Sequence, residues 1–166
     1  MIRIQEYDKQ YYGQVVQHVI DIQNNEFNLG LTLAHHHDLQ DMEQAYEKSG
    51  GKFWIAINEN DEVIGTIALF NLGNGRGDLR RMFVKSEYRG KGKGISHKLL
   101  EILLDWAAQN GYKKIYLETI SVFKAAMKFY VNNGFQRIDK SELPSNFPVV
   151  HVAEFFFVRE LGKKRN

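Results

Sequence analysis

The chain has 166 residues, 43 % of them hydrophobic and 13 % aromatic, which suits one domain over residues 1–166 with an ordinary core and excludes a disordered chain. The formal net charge is only +2, and the absence of cysteine excludes disulfides, thiolate metal sites and a cysteine nucleophile. No apolar run approaches the length of a membrane span and no basic-then-apolar leader opens the chain, so a cytoplasmic protein with no membrane partner is expected.

Residues 1–6 alternate after Met1 and predict a short strand with Ile2 and Ile4 on one face. Asp8 is placed to cap a helix over residues 9–23, where Tyr12, Val15, Val16, Val19, Ile20 and Ile22 fall mostly at helical spacing before Asn24-Asn25 ends the run. His35, His36 and His37 occupy the next loop; consecutive side chains diverge, so solvated histidines are favoured over a metal site. Asp38 opens a second acidic helix, Leu39 to Lys48, closed by Gly50-Gly51. Residues 52–57 and 63–70 read as a hairpin across an Asn- and Asp-containing turn, and the glycine-bearing loop 71–77 leads into a further antiparallel strand, Leu79 to Val84.

From Ile95 the apolar positions Leu99, Ile102, Leu103, Trp106 and Ala107 draw a helical stripe that stops at Asn110-Gly111. Residues 113–119 then supply a strand, making a right-handed parallel crossover, and a crevice is expected between Val84 and Thr119 if the two strands diverge. A helix from Phe123 to Asn133, with Ala126, Met127, Tyr130 and Val131 inward, is followed by a stop at Gly134 and a strand Phe135 to Ile138. The last segment, Val149 to Leu161, reads as a long apolar strand; as an exposed edge it would invite a second subunit, hence a homodimer.

Between the meander and the long helix lies the most informative stretch. Gly90, Gly92 and Gly94 allow backbone angles closed to other residues, and the helix that follows offers unpaired amides and a positive dipole end, a combination suited to phosphate. Arg89, Lys91 and Lys93 add formal charge. The spacing fits neither G-x-x-x-x-G-K-[ST] nor G-x-G-x-x-G, which excludes a nucleotide-triphosphate loop and a dinucleotide turn. Residues 10–47 show the opposite bias: no Lys or Arg, with Asp21, Glu26, Asp38, Asp41, Glu43 and Glu47.

Arg89-x-x-Gly92-x-Gly94 resembles the R/Q-x-x-G-x-G/A signature of the GNAT superfamily of acetyl-CoA-dependent N-acetyltransferases, and L-R-R-M-F-V-x-x-x-Y-R-G its fourth strand. Y-L-E-T followed by A-A-M-K-F-Y-V-N-N-G-F resembles the family's strand and helix ending in A-x-x-x-Y-x-x-x-G-F, and the order of elements agrees over essentially the whole chain. The resemblance implies an α/β (α+β) GNAT fold: a single mixed central sheet of about seven strands flanked by four helices and splayed between strands 4 and 5. It implies acetyl-CoA as co-substrate and no metal. Arg89, Gly90, Lys91, Gly92, Lys93 and Gly94, with Ile95 and Ser96, would hold the pyrophosphate through main-chain amides. Met82, Phe83 and Val84 would pair with the pantetheine arm.

By the same resemblance Tyr130 faces the coenzyme sulfur. A phenol near ~10 is a weaker acid than a thiol near ~8.5, so hydrogen-bond stabilisation of the leaving thiolate suits it better than proton transfer. The sequence departs from the family at Phe123, where many members carry an asparagine that contacts the coenzyme, and at Asp78, where many carry a glutamate base. Glu118 competes with Asp78 for that role, and the two stay open as alternatives.

The leading expectation is direct acetyl transfer to a primary amine of a small molecule or peptide, with the acidic segment favouring a cationic acceptor. The alternative is a non-catalytic coenzyme A binding or sensing module, motivated by the departures at Phe123 and Asp78. Nucleic acid is not expected as a partner: the basic loop and the K-K-R tail are not interleaved with stacking aromatics.

Overall fold

The computed structural model describes residues 1–90, 92–150 and 152–162, so the K-K-R tail lies outside the described residues. The run K-F-W-I-A-I forms β2 (Lys52–Ile57), which is covered on both faces: Phe53, Ile55 and Ile57 enter one core and Trp54 and Ala56 the other. A strand with no polar alternation is what a central position requires. β1 (Arg3–Glu6), β2, β3 (Val63–Gly73) and β4 (Arg76–Val84) pair antiparallel in chain order. The expected loop 71–77 is mostly strand. Asn74 and Gly75 take φ of 55° and 72° and form a two-residue turn whose twist matches the strands on either side.

After α3 (Ile95–Gln109), β5 (Lys114–Thr119) lies parallel to β4, with Arg76, Gly77 and Asp78 opposite Lys114, Ile115 and Tyr116. Beyond Asp78 the two strands part, and β5 continues to Thr119 against β7 (Phe155–Glu160). With α4 (Lys124–Asn132) and β6 (Gln136–Ile138), the sheet has seven strands in the order β1-β2-β3-β4-β5-β7-β6. This is the mixed sheet, splayed between its fourth and fifth strands, that the resemblance implied. One face packs under Ile95, Leu99, Leu100, Leu103 and Ala107 of α3. The other packs under α1 (Tyr12–Asp21) and α2 (His37–Gln40) through Val15, Val19 and Leu39.

Several local expectations are corrected. Asp8 does cap the first helical turn, accepting from Gln10 N at 2.9 Å, but the helix does not stop at Asn24-Asn25; it winds on as a π turn over Ile22–Glu26. Asn24 turns its side chain outward to the Leu31 main chain, at 2.6 and 2.7 Å, and so closes the following loop instead. Asp38 is not a cap: it lies inside α2, which breaks at Asp41 before a second π turn over Glu43–Glu47. His36 is buried, where a solvated loop histidine was expected, and burial lowers its pKa to about 4. Val131 is 55 % exposed because the inward face of α4 centres on Tyr130.

The last strand is much shorter than the apolar run suggested. Ala153 N donates to Val150 O in a turn, and pairing begins only at Phe155. β7 then lies between β5 and β6, so it presents no edge and the premise for a second subunit falls. No helix among the described residues is long and apolar enough to cross a membrane.

One irregularity decides where the next side chains point. Thr66 opposes Phe83 and Ala68 opposes Arg80, so Ile67 alone faces both Arg81 and Met82, a β-bulge. Arg81 sits at φ 56°, a left-handed angle that costs a non-glycine residue about 1–2 kcal/mol. Three contacts hold it there. Thr66 Oγ1 donates to Arg81 O at 2.6 Å, and the Arg81 guanidinium grips Asp38 with two bonds of 2.6 and 2.9 Å while Tyr46 donates to the same carboxylate at 2.6 Å. Burial works against the Asp38 charge, but the hydrogen bonds and charge of Arg81 hold its pKa down at about 2. Because the bulge interrupts the alternation of the strand, consecutive Arg80 and Arg81 both reach the α1–α2 face.

Asp38→Ala strands the Arg81 guanidinium in a buried setting and lowers stability by about 3–5 kcal/mol. Urea unfolding checks this, with the double variant Asp38→Ala/Arg81→Met expected to lose less than Asp38→Ala alone.

Candidate functional site

Gly90, Gly92 and Gly94 take φ of 108°, 88° and 66°. A Cβ would meet nothing within 4 Å at any of them, so glycine is needed here for backbone angle and not for space. Lys91 lies outside the described residues. Gly94 is the residue before α3, and the first helical bond runs from Lys98 N to Gly94 O. The amides of Ile95, Ser96 and His97 therefore have no carbonyl partner in the helix and sit at its positive end.

Among the described residues of the loop, the side-chain charges of Arg89 and Lys93 are used within the protein. Arg89 makes a two-pronged ion pair with Glu26 and donates its Nε to Val84 O at 2.6 Å, and Lys93 donates its Nζ to Glu87 O. The described part of the loop thus presents amides more than free cations. The acidic segment is compensated in the same way, with Glu26 on Arg89 and Asp38 on Arg81, so its pull on a cationic acceptor is weaker than its composition implies.

Where β4 and β5 have parted, the end of β4 shows its main chain to the gap. Lys85 N donates to Ile64 O, so by the antiparallel alternation Val84 turns its N–H and C=O away from β3. The Val84 side chain is buried in the α3 core, with Met82 packed against that core, while Phe83 lies on the opposite face. Phe83 O also accepts from Nε2 of His18 at 2.9 Å; burial lowers His18 to about 4, and the neutral ring pins this end of β4 to α1. Phe123, immediately before α4, meets the rings of Phe27 and Phe83 edge to face at 4.6 and 6.1 Å. An apolar ring cluster therefore stands where the family's asparagine would offer a polar contact.

Asp78 is at the fork, 2 % exposed, with Oδ2 accepting from Arg80 Nε at 2.6 Å and Oδ1 buried without a partner among the described residues. Burial raises its pKa to about 6 against the opposing charge of Arg80. Glu118 lies two residues beyond Tyr116, the partner of Asp78, and so shares its face. Burial, and then the charge of Asp78, raise Glu118 to about 7, while the Val150 N–H at 3.2 Å opposes the rise. Burial thus raises both carboxylates toward neutrality. Tyr130 comes from the other face of the sheet: it lies in the α3 core at 6 % exposure, and burial pushes its phenol up from the ordinary value.

The structure thus gathers Asp78 and Glu118 on one wall, Met82 to Val84 along the gap and Ile95 and Ser96 at the helix end. Sequence reasoning missed Arg80, His18, Phe27 and the Glu26–Arg89 pair. Only Arg80 carried a signal: the polar residue two positions after Asp78 on the same strand.

Residues 16–135 match the family model of the Acetyltransferase (GNAT) family. A crystal structure of an acetyltransferase of GNAT family from Staphylococcus aureus Mu50 superposes with a TM-score of 0.93 at 38 % identity, over 98 % of this chain and 100 % of that one. The N-acetylaspartate synthetase of Danio rerio is 36 % identical over 114 residues, which are 68 % of this chain and 39 % of that protein. The chain spans less than two thirds of the length of the curated relatives it matches. A PaiA N-acetyltransferase from Thermoplasma acidophilum in complex with coenzyme A shares the fold at a TM-score of 0.72 and 16 % identity, over 96 % of this chain and 99 % of that one.

Raised carboxylate values carry a stability consequence of definite sign. The folded protein keeps protons on Asp78 that the unfolded chain releases above its ordinary value, so this group's favourable contribution is complete below about pH 4 and is lost as pH rises through about 6. Relative to wild type, Asp78→Asn is expected to gain about 2–3 kcal/mol between pH 4 and pH 7, read as the change in their difference in denaturant stability.

Proposed function

The chain belongs to the GNAT acetyltransferase family, and from that premise we propose that residues 1–166 act as one domain that moves the acetyl group of acetyl-CoA directly onto a primary amine of a small molecule or peptide. The observation that carries the proposal is the coincidence of three features. Unpaired amides at the start of α3, a gap between β4 and β5, and two near-neutral carboxylates at the fork of that gap are what such a transfer needs.

Acetyl-CoA supplies the thioester, and the remaining tasks fall to the chain. The amides of Ile95 and Ser96, after the glycine turn at Gly92 and Gly94, suit a diphosphate, and the outward main chain of Val84, with Met82 and Phe83 beside it, suits the amide-bearing pantetheine arm. Arg89 releases or shares Val84 O when that arm pairs. Glu118 takes the proton from the acceptor amine; it is the more accessible of the two carboxylates, whereas Asp78 is sealed and committed to Arg80. Nitrogen then attacks the thioester carbon, a main-chain N–H near Met82 to Val84 supports the developing oxyanion, and the carbon–sulfur bond breaks.

Tyr130 donates a hydrogen bond to the departing sulfur. Its raised pKa makes full proton transfer less favourable than ordinary values would, so the sulfur's proton comes ultimately from the amine. The departure at Phe123 exchanges a polar contact for ring packing against Phe27 and Phe83. The departure at Asp78 leaves the base role to Glu118.

Release of free thiol from acetyl-CoA with a panel of amines tests the reading. Glu118→Gln lowers kcat by about 10²–10⁴-fold and Tyr130→Phe by about 10²-fold or more. For wild type, kcat/KM falls as pH drops through about 7, and this limb disappears in Glu118→Gln. Coenzyme A binding by calorimetry with no turnover of any amine would instead establish the sensing module.

A further inference from the structure

We propose that the acetyl acceptor is an amino acid, with its carboxylate held by Arg80 and its amine directed to Glu118 and the gap; this rests on the acetyl-transfer reading. Arg80 is fixed on two sides. Its Nε is spent on Asp78 Oδ2 at 2.6 Å, and its guanidinium carbon lies 4.0 Å from the centre of the Phe70 ring. Neither contact uses the two terminal nitrogens, and Arg80 makes no other side-chain hydrogen bond among the described residues. The side chain is 22 % exposed, so the remaining edge reaches solvent in a defined plane. A planar fork held by a carboxylate on one edge and an aromatic face beneath is preorganised for a second, bidentate carboxylate on the other edge.

The neighbouring arginine sharpens the assignment. Arg81 reaches the same face through the bulge but spends Nε and one of its two terminal nitrogens on Asp38, whereas Arg80 keeps both terminal nitrogens for a ligand. Beside the fork stand two carboxyl groups: Asp78, whose Oδ1 is buried with no partner among the described residues, and Glu118, two residues past the partner of Asp78. Donors for an anion next to acceptors for an ammonium match a molecule that carries both charges a few bonds apart. A simple cationic amine would satisfy the acceptors and place unbalanced positive charge against Arg80.

The test compares each L-amino acid with its own α-carboxamide, together with plain primary amines, as acceptors for wild type, Arg80→Lys and Arg80→Gln. Removing the carboxylate lowers the basicity of the amine, which by itself favours the carboxamide, so a preference for the acid reports recognition. Wild type is expected to favour its best acid over the carboxamide by about ten- to hundredfold in kcat/KM, mainly through KM. That ratio collapses toward one in Arg80→Gln and falls partway in Arg80→Lys, which keeps the charge and loses the fork. Equal use of acid and carboxamide by wild type overturns the inference and leaves acetyl transfer standing, as does a ratio that survives both substitutions. If either variant fails to fold by circular dichroism, the wild-type ratio alone decides. Turnover of no amine at all overturns the acetyl-transfer reading and this inference with it.

Discussion

Two parallel strands that share three pairs of residues and then separate leave a row of main-chain groups without a neighbour. Backbone N–H and C=O groups tolerate this only where something else can bond them. In this protein β5 is rescued by β7, which follows it to Thr119, whereas the end of β4 is held by side chains: His18 on Phe83 O and Arg89 on Val84 O. The gap is therefore a built feature, kept open by partners that come from α1 and from the glycine loop.

The same strand explains the electrostatics. A regular β4 would send Arg80 and Arg81 to opposite faces; the bulge brings both to the α1–α2 face and gives them different work. Arg81 is consumed in closing α2 onto the sheet through Asp38, while Arg80 is left with a free edge beside two carboxylates whose values burial has raised. Of the charges that look like a basic strand and an acidic helix in one dimension, Arg80, Arg81, Glu26 and Asp38 are paired in three. At the fork and the head of α3, one guanidinium edge, one carboxylate oxygen and the helix amides have no partner among the described residues.

Much of this was legible from the chain, for reasons that differ by residue. Gly90, Gly92 and Gly94 announce positive φ because few other residues pay so little for it, and K-F-W-I-A-I announces a strand because everything after Lys52 is apolar. The carboxylates Asp78 and Glu118 were visible as alternatives, but their ranking was not: it depends on which is sealed and which is reached, a matter of the elements packed over them. The C-terminal run misled because V-V-H-V-A-E-F-F-F-V is mostly apolar and reads as one strand, whereas a turn with Ala153 N on Val150 O divides it.

The sequence by itself determined the order of the elements, the glycine loop before an amphipathic helix and the candidate chemistry, since periodicity, turn residues and conformational freedom are properties of neighbouring residues. Only the tertiary structure decided which charges remain available, where the sheet opens and which of two adjacent arginines faces a ligand. Those outcomes turn on pairings such as Glu26 with Arg89, Asp38 with Arg81 and Asp78 with Arg80. The first two join residues more than forty positions apart, and the third depends on a bulge set by the register between β3 and β4.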